Sequence, residues 1–387
     1  MRIKTSNLTH IKNINERRMK MVRSITASQA TIVMILSMGL MNHVIVLPSV
    51  LTAAGRDSWV SLLGVGILFI LWVPLIYWII KKTNRQHLIS WLKTNSHPAA
   101  AWLVKLILAF LLVLNLYITL YTTFSWVNST YMIQTPRFVL FFPFILLCLY
   151  AAVSGIKTIA IAGGVVLPLV VLLGFFIMFS NMHYKDYSLL LPVFENGITP
   201  VMAGAVILGG GLVEFFYFAI IQQHIRTEVK LFRLFLLSIF ILLINLGPII
   251  GAITEFGPKQ ASNISNPAYA QWRLLTIGKY LNRLDFLSVY QWLSGAFVRI
   301  SLSLFMFAEL FHPKTKKKHN IILIILTAVL ILLLCIPVDS PAMKQMIDHY
   351  YFSISVIGIL FVTFFITIII FFRGRVKKNE APIEQSR

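Results

Sequence analysis

Apolar residues follow one another in long runs along this chain, and short polar segments separate the runs. Each run is long enough for a helix to cross a hydrocarbon layer of about 30 Å while it satisfies its own backbone hydrogen bonds. The pattern predicts ten transmembrane helices, over 26–51, 58–80, 102–125, 138–154, 157–180, 199–221, 232–254, 286–310, 320–337 and 349–372. We expect an all-α integral membrane protein, with a basic tail over 1–25, a ten-span domain over 26–372 and a second tail over 373–387.

The composition and the charge distribution agree with a membrane protein. Of the 387 residues, 58% are hydrophobic and 12% are charged, whereas soluble domains carry about 25% charged residues. The net charge of +21 would suit a nucleic-acid partner, but the Lys and Arg residues lie in short clusters between the apolar runs. Of these 34 residues, 24 fall on the predicted side of the N-terminus and eight on the other side. An excess of Lys and Arg marks cytoplasmic segments, so both termini are predicted to be cytoplasmic. Because membrane topology accounts for the basic clusters, no nucleic-acid partner is expected.

Two of the predicted spans contain residues that are unusual in a membrane helix. The stretch MGLMNHVIVLP in the first span contains Gly39, Asn42, His43 and Pro48. The stretch ILGGGLVEFFYF in the sixth span contains Gly209, Gly210, Gly211 and Glu214. Each glycine disfavours a helix by about 1 kcal/mol relative to alanine, so the triple glycine favours an unwound segment over close helix packing.

The two interrupted spans are the first members of two sets of five. This arrangement is typical of an inverted-repeat transporter, in which paired broken helices meet near the midplane and bind the ligand there. We therefore predict a 5+5 inverted repeat with interrupted first and sixth spans. Pro74 and Pro168, in the second and fifth spans, are interpreted as simple kinks.

Individual polar residues in these spans have two interpretations each. Asn42 and His43 either line the ligand site or join helices by a hydrogen bond. Glu214 is the strongest candidate, because an ionisable group within a span costs about 2.5–3.5 kcal/mol and marks a functional site by default. The alternative for Glu214 is a structural ion pair with Arg299.

The third and eighth spans each carry a polar line at helical spacing. The lines consist of Asn115, Thr119 and Thr122, and of Trp292, Gly295, Arg299 and Ser303. Such lines are expected to face the interior of a bundle. The candidate ligand-binding residues are therefore Gly39, Asn42, His43, Asn115, Thr119, Gly209, Gly210, Gly211, Glu214, Trp292 and Arg299.

Other chemistry finds little support in the sequence. Cys148 and Cys335 lie in apolar runs without ligand-spaced neighbours and are interpreted as packing residues. We find no nucleophile motif, phosphate loop, paired carboxylates or metal-ligand spacing, so neither an enzyme nor a cofactor is expected. The loop before the eighth span contains AQWRLLTIGKYL, over 270–281, which predicts a short helix that acts as a lid over the outer mouth.

Three stretches resemble a known family, the B-subunit permeases of bacterial spore nutrient-germinant receptors, within the amino acid–polyamine–organocation transporter superfamily. They are ITASQATIVMILSMGLMNHVIVLPSVLTAAGRDSW, GPKQASNISNPAYAQWRLL and LDFLSVYQWLSGAFVRISL, and the similarity covers about 25–372. Many family members have a run of small residues before the proline of the first span, where this chain has Met41, Asn42 and His43. That departure bears on the identity of the germinant.

The resemblance implies a protein of the inner spore membrane that senses a small nutrient, typically an amino acid. It also implies two partners, a membrane A subunit and a lipoprotein C subunit. The residues alone lead only to a ten-span carrier fold with a site near the midplane, and a sensor shares these features with a carrier. The alternative is therefore an autonomous proton- or cation-coupled amino acid transporter.

Overall fold

Long helices make up most of the computed structural model, which describes residues 24–276 and 283–379. In these residues, nine helical segments are long and apolar enough to cross a membrane: Ala27–Lys82, Pro98–Thr130, Arg137–Ser154, Ile156–Ser180, Ile198–His224, Leu231–Phe256, Leu287–Leu310, Lys316–Cys335 and Ser340–Arg373. The predicted all-α membrane architecture is therefore confirmed. The first two predicted spans both fall in the first segment, which is 56 residues long.

This first segment folds back on itself at Gly55. It consists of α1 (Ala27–Leu40), a π-helical segment (Met41–Val46), α2 (Leu47–Ala54), a 3₁₀ turn (Gly55–Asp57) and α3 (Ser58–Lys82). Gly55 has φ +52°, a conformation that glycine adopts readily and that ends α2. The two ends of the segment meet the same stretch of chain, because the Ile25 amide donates to the His224 carbonyl at 2.9 Å and the Thr83 hydroxyl donates to Gln222 Oε1 at 3.0 Å. The chain thus crosses the bundle and returns.

The other helices follow the predicted runs closely. The first half continues with α4 (Leu88–Asn95), α5 (Pro98–Thr130), α6 (Arg137–Ser154) and α7 (Ile156–Ser180). The second half contains α8 (Ile198–Leu212), a 3₁₀ segment (Val213–Phe216), α9 (Tyr217–Ile221), α10 (Leu231–Phe256), α11 (Pro258–Ala261), α12 (Pro267–Leu274), α13 (Leu287–Leu310), α14 (Lys316–Cys335), α15 (Ser340–Met346), a π-helical segment (Ile347–Tyr351) and α16 (Phe352–Asn379). Gly155, with φ +101°, separates α6 from α7, where the sequence offers only the polar break SGIK.

The connecting segments lie on two faces of the bundle. The N-terminal face is the one that holds 24–26, 83–87, 222–230 and 309–319. On the opposite face, Arg56 pairs with Glu195 at 2.7 Å and the Thr52 hydroxyl donates to the Ser262 carbonyl at 3.1 Å. The helices therefore run between two polar surfaces, as a membrane-spanning bundle requires.

Helix α13 occupies the centre of the bundle. It packs against α1, α5, α6, α7 and α14, and most of its residues from Trp292 to Leu310 are buried. Helix α8 packs against α2, α3 and α16. The π-helical segment packs against α5, α8 and α10, and the 3₁₀ segment of the sixth span packs against α1, α8 and α16, so both irregular segments lie in the interior.

The triple glycine does not unwind the sixth span, so that prediction is wrong. Helix α8 continues through Gly209, Gly210 and Gly211 to Leu212. The glycines serve close packing instead, since a Cβ atom on Gly210 would lie 2.8 Å from the Cα atom of Phe352 and one on Gly211 would collide with the Asn42 side chain. The contacts that this close approach permits offset the low helix propensity of glycine. The irregular backbone begins one residue after Leu212 and takes a 3₁₀ form, and that of the first span takes a π form.

The loop before α13 contains the short helix that the sequence predicts, although with different bounds. Helix α12 ends at Leu274 and packs against α10 and α2. The Trp272 indole donates to Gln291 Oε1 at 3.1 Å and joins α12 to α13. The predicted continuation to residue 281 falls partly on 277–282, which lie outside the described residues.

The glycine packing yields a matched pair of substitutions. Gly210→Ala should destabilise the protein by about 1–3 kcal/mol, because its new methyl group overlaps the backbone of α16. Gly164→Ala in α7 should be neutral or slightly stabilising, because nothing lies within 4 Å of a Cβ atom there. The midpoint of thermal unfolding of the detergent-solubilised variants measures both effects. Equal midpoints for the two variants would contradict the packing role of Gly210.

Candidate functional site

A buried ion pair lies in the centre of the bundle. Arg299 belongs to the middle of α13 and is fully buried, and Glu214 belongs to the 3₁₀ segment of the sixth span and is 3% exposed. The Arg299 Nη2 atom lies 2.7 Å from Glu214 Oε1, and the Nη1 atom bonds to the other carboxylate oxygen. The pair is therefore bidentate, the arrangement in which a guanidinium and a carboxylate bind each other most strongly.

The remaining donors of Arg299 reach the first and third spans. The Nε atom donates to Thr119 Oγ1 at 2.9 Å, Nη1 donates to the carbonyl of Ser37 at 3.1 Å, and Nη2 donates to the sulfur of Met41 at 3.2 Å. All five N–H groups of the guanidinium thus have partners. One side chain therefore connects the first, third, sixth and eighth spans.

Asn115 completes the hydrogen bonding of the carboxylate. Its Nδ2 atom donates to Glu214 Oε1 at 2.7 Å and lies 3.3 Å from the Tyr217 hydroxyl, while its Oδ1 atom accepts from Ser303 at 3.2 Å. The Thr119 hydroxyl donates to the Asn115 carbonyl at 2.7 Å. We call these residues the Arg299 cluster: Ser37, Met41, Asn115, Thr119, Glu214, Tyr217, Arg299 and Ser303.

The structural ion pair foreseen as the alternative for Glu214 is thus present. An unpaired charge at this depth would be expensive, and the bidentate contact and the satisfied donors offset the desolvation of both groups. The contacts also confirm that the polar lines of the third and eighth spans face the interior. Thr122 differs from Asn115 and Thr119, because it is only half-buried and its hydroxyl bonds to carbonyls of its own helix alone.

Trp292 lies outside the Arg299 cluster, two turns away along α13. Its indole nitrogen lies 3.2 Å from the Thr123 hydroxyl, and its ring stacks on Trp126 with centroids 3.9 Å apart and planes at 5°. Tyr269, from α12, packs edge-on against Trp126 at 5.6 Å. The aromatic residues therefore join the third and eighth spans to the loop of the opposite face.

Asn42 lies in the π-helical segment and is 2% exposed. Within the described part of the chain, neither its Nδ2 nor its Oδ1 atom has a hydrogen-bond partner. A buried amide without partners is unfavourable by about 1–3 kcal/mol, so interhelical bonding does not explain it. Its neighbours His43, half-buried and hydrogen-bonded to the Gly39 backbone, and Gly39, with nothing within 4 Å of its Cβ position, lie on the same span.

The structure therefore divides the predicted set into three groups. Asn115, Thr119, Glu214 and Arg299 form one hydrogen-bonded cluster; Gly209, Gly210 and Gly211 pack against the tenth and first spans; Gly39, Asn42, His43 and Trp292 are separate from the cluster. The sequence analysis does not identify Ser37, Met41, Tyr217 and Thr123. Ser37 contributes only a carbonyl and Met41 a sulfur, which no polar pattern reveals, whereas Thr123 continues the spacing of Asn115 and Thr119 and was within reach of the sequence.

Two open clefts lie at the opposite face of the bundle. One has a volume of about 560 Å³ and is lined by Arg137, Phe141 and the segment 334–340. The other has a volume of about 600 Å³ and is lined by Arg56, Asn263 and the segment 256–260. The second cleft is lined by the start of the loop that carries α12 and by the turn after α2.

The described chain is a helical integral membrane protein whose bundle is built around a buried ion pair. A family model described as "Spore germination protein" matches residues 24–343. The chain is 39% identical over 332 residues to "Spore germination protein XB" of Bacillus anthracis, which covers 86% of this chain and 93% of that protein. It is 24% identical over 256 residues to "Putative spore germination protein YfkT" of Bacillus subtilis (strain 168), which covers 66% of this chain and 70% of that protein.

The chain belongs to the spore germination protein family. The resemblance found in the sequence is confirmed, and the family match includes the first and eighth spans that carry much of the Arg299 cluster. This is a family of germination proteins and not an enzyme family.

The buried pair leads to a first prediction at the site. Glu214→Gln keeps the side-chain volume but leaves the Arg299 charge without its partner, so we expect a loss of about 3–5 kcal/mol in stability. The control is Glu195→Gln, which breaks the pair with Arg56 at a side chain that is 51% exposed, where about 0–1 kcal/mol is expected. Thermal unfolding of both purified variants measures the difference. Equally small shifts would show that the buried pair does not stabilise the bundle.

Proposed function

We propose that this protein is the nutrient-germinant sensing subunit of a bacterial spore germination receptor. The observation that carries the proposal is the position of the Arg299 cluster, where the π-helical segment of the first span and the 3₁₀ segment of the sixth span meet. Changes of helix type inside a span are frequent at functional sites. Family membership supplies the biological setting, and the cluster supplies a place where ligand binding is transmitted between spans.

The ligand is a small nutrient such as an amino acid. An amino acid presents a carboxylate and an ammonium group, and both need several hydrogen bonds when they leave water. Asn42 offers a donor and an acceptor that have no partner among the described residues, and His43 and Gly39 lie on the same turns of the first span. A ligand that bonds to the Asn42 amide would satisfy groups that are otherwise unpaired, which gives binding a favourable energy and a selective geometry.

Binding near the first and sixth spans is transmitted because the Arg299 cluster holds those spans to the third and eighth. A ligand that favours one arrangement of the spans shifts the population toward it, and a partner in contact with the bundle responds. The partners in this proposal are a membrane A subunit and a lipoprotein C subunit, and the location is the inner membrane of the spore. The name of the similar B. anthracis protein, "Spore germination protein XB", supports a germination role.

The proposed topology has ten spans in a 5+5 inverted repeat, with both termini in the cytoplasm. The 56-residue first segment counts as two crossings, because both of its ends contact 222–227. The N-terminal face then faces the cytoplasm. The excess of Lys and Arg on the segments of this face supports the orientation.

Orientation is tested by cysteine accessibility. On a variant that lacks Cys148 and Cys335, a cysteine at position 263 should react with a membrane-impermeant thiol reagent in intact cells, and a cysteine at position 317 should react only after permeabilisation. Asn263 and Lys317 lie on opposite faces and are both exposed. A difference in labelling therefore reports the side of the membrane and not the burial of the residue. The reverse pattern of labelling would contradict the orientation.

Ligand contact is tested by conservative substitutions in the first span. Asn42→Ser and His43→Asn should leave the subunit at normal levels in spore membranes, and should move the half-maximal germinant concentration by at least about tenfold, equivalent to about 1.4 kcal/mol. The readout is the dose–response of spores that carry this receptor, with immunoblots for the protein level. Thr327→Ala is the control, because this buried hydroxyl in the ninth span also has no partner among the described residues.

Two outcomes would contradict the proposal. Unchanged sensitivity in both first-span variants, at normal protein levels, would show that this segment is not the ligand site. Uptake of the germinant by the chain alone in reconstituted vesicles would favour the autonomous transporter instead.

A further inference from the structure

A second ionisable centre lies on the N-terminal face, far from the first. Glu309, near the end of α13, has its carboxylate between two histidines of other elements. His224 Nε2 lies 2.9 Å from Glu309 Oε2, and His319 Nε2 lies 3.5 Å from Glu309 Oε1. His224 ends the sixth span and His319 belongs to the first turns of α14. One carboxylate therefore connects the sixth, eighth and ninth spans at their ends on this face.

The backbone at Glu309 makes a further contact with the loop after the second span. His87 Nε2 lies 2.7 Å from the Glu309 carbonyl, while His87 Nδ1 accepts a hydrogen bond from the Ser90 amide at 3.2 Å. This assigns the neutral tautomer with the proton on Nε2. Burial lowers the pKa of His87, and the neighbouring imidazole of His312, with rings 4.4 Å apart, acts in the same direction. His87 is therefore neutral and contacts the backbone of Glu309, whereas the carboxylate of Glu309 contacts His224 and His319.

The surroundings favour a charged contact at Glu309. The rings of His224 and His319 lie 5.2 Å and 5.8 Å from the ring of Phe305, which covers the inner side of the site. The side chains of Glu309, His224 and His319 are 18%, 23% and 13% exposed, so water reaches them only in part. Partial exclusion of water strengthens the attraction between an imidazolium and a carboxylate. The other titratable residues on the segments that meet here are Arg85, His87, Arg226, Glu228, Lys230, His312, Lys314, Lys316, Lys317 and Lys318.

We propose that Glu309, His224 and His319 form a proton-binding site that fastens the N-terminal face of the bundle. When His224 or His319 carries a proton, its imidazolium is held by the Glu309 carboxylate. The contact then ties the end of that histidine's own span, the sixth or the ninth, to the eighth. Without the proton, neutral His224 makes a weaker hydrogen bond to Glu309. Neutral His319, whose Nε2 atom has no hydrogen-bond partner among the described residues, is no longer attracted by charge, and the 222–230 and 311–319 segments open more often. Since the Ile25 amide bonds to the His224 carbonyl, the start of the first span is fastened with them.

The pH dependence has a definite sign. Histidine is the side chain whose charge changes between about pH 5 and pH 8. An imidazolium–carboxylate contact is favoured at the acidic end of this window, and the neutral imidazole that replaces it at the alkaline end binds a carboxylate less strongly. The proposal does not depend on which germinant is bound, because its ligand is the proton and the part of the bundle that responds is the N-terminal face.

Amide hydrogen exchange of the full chain in neutral-lipid nanodiscs tests this site. Peptides covering 222–230 and 311–319 should be protected at least about tenfold more at about pH 5.5 than at about pH 8, after correction for intrinsic exchange rates. Glu309→Gln should abolish the difference while it keeps the side-chain volume. If Glu309→Gln does not fold, the double variant His224→Gln and His319→Gln takes its place with the same expectation. His183→Gln on the opposite face is the matched control and should retain the difference.

The proposal is overturned by either of two results. One is equal protection of both segments at the two pH values in the unsubstituted protein. The other is a pH-dependent difference that survives in Glu309→Gln or in the double histidine variant, because the proton would then bind elsewhere.

Discussion

A charge inside a membrane must have a partner, and in this protein that requirement organises the bundle. Arg299 in the centre of α13 places a permanent positive charge among apolar helices, and Glu214 approaches it from the sixth span. The remaining donors of the guanidinium reach the first and third spans. The relative positions of four spans therefore depend on one residue, because a displacement of any of them leaves a donor or the carboxylate unsatisfied.

The pair also gives a reason for the irregular backbone beside it. Glu214 lies in a 3₁₀ segment directly after the glycine-rich end of α8, and Met41 begins the π-helical segment of the first span. The glycines let α16 and the first span approach α8 closely, and the changes of helix type follow at this crowded level. The buried Asn42 amide, without a partner in the described residues, is at the same place. The irregular backbone of the first and sixth spans and the unpaired Asn42 amide thus lie beside the charged centre.

Much of the architecture follows from the sequence, because long apolar runs have few alternatives in a membrane. The bounds of α6 and α7 agree with the predicted spans, and Gly155 is the break that SGIK indicates. The inward direction of Asn115, Thr119 and Arg299 also follows, since a buried charge and a polar line at helical spacing both need the interior. The pairing of Glu214 with Arg299 was one of two alternatives that the residues alone left open.

The parts that the sequence does not predict depend on neighbours distant in the chain. Helix propensity favours unwinding at Gly209 to Gly211, but propensity carries no information on the approach of Phe352, which keeps this segment helical. The carbonyl of Ser37 and the sulfur of Met41 have no polar pattern to reveal them. His224 contacts Glu309 across 85 residues of sequence, and no regular spacing in the chain indicates the contact of either His224 or His319 with Glu309.

The most direct test of the central role of the buried pair is a charge exchange between positions 214 and 299. Glu214→Arg and Arg299→Glu, each alone, bring like charges together and should abolish accumulation of folded protein. The double variant restores opposite charges at the same two positions and should recover a clear fraction of it. The measurement is the amount of monodisperse protein in detergent extracts by fluorescence-detected size exclusion. A double variant no better than the worse single variant would contradict the account, because the two side chains would then act independently of each other.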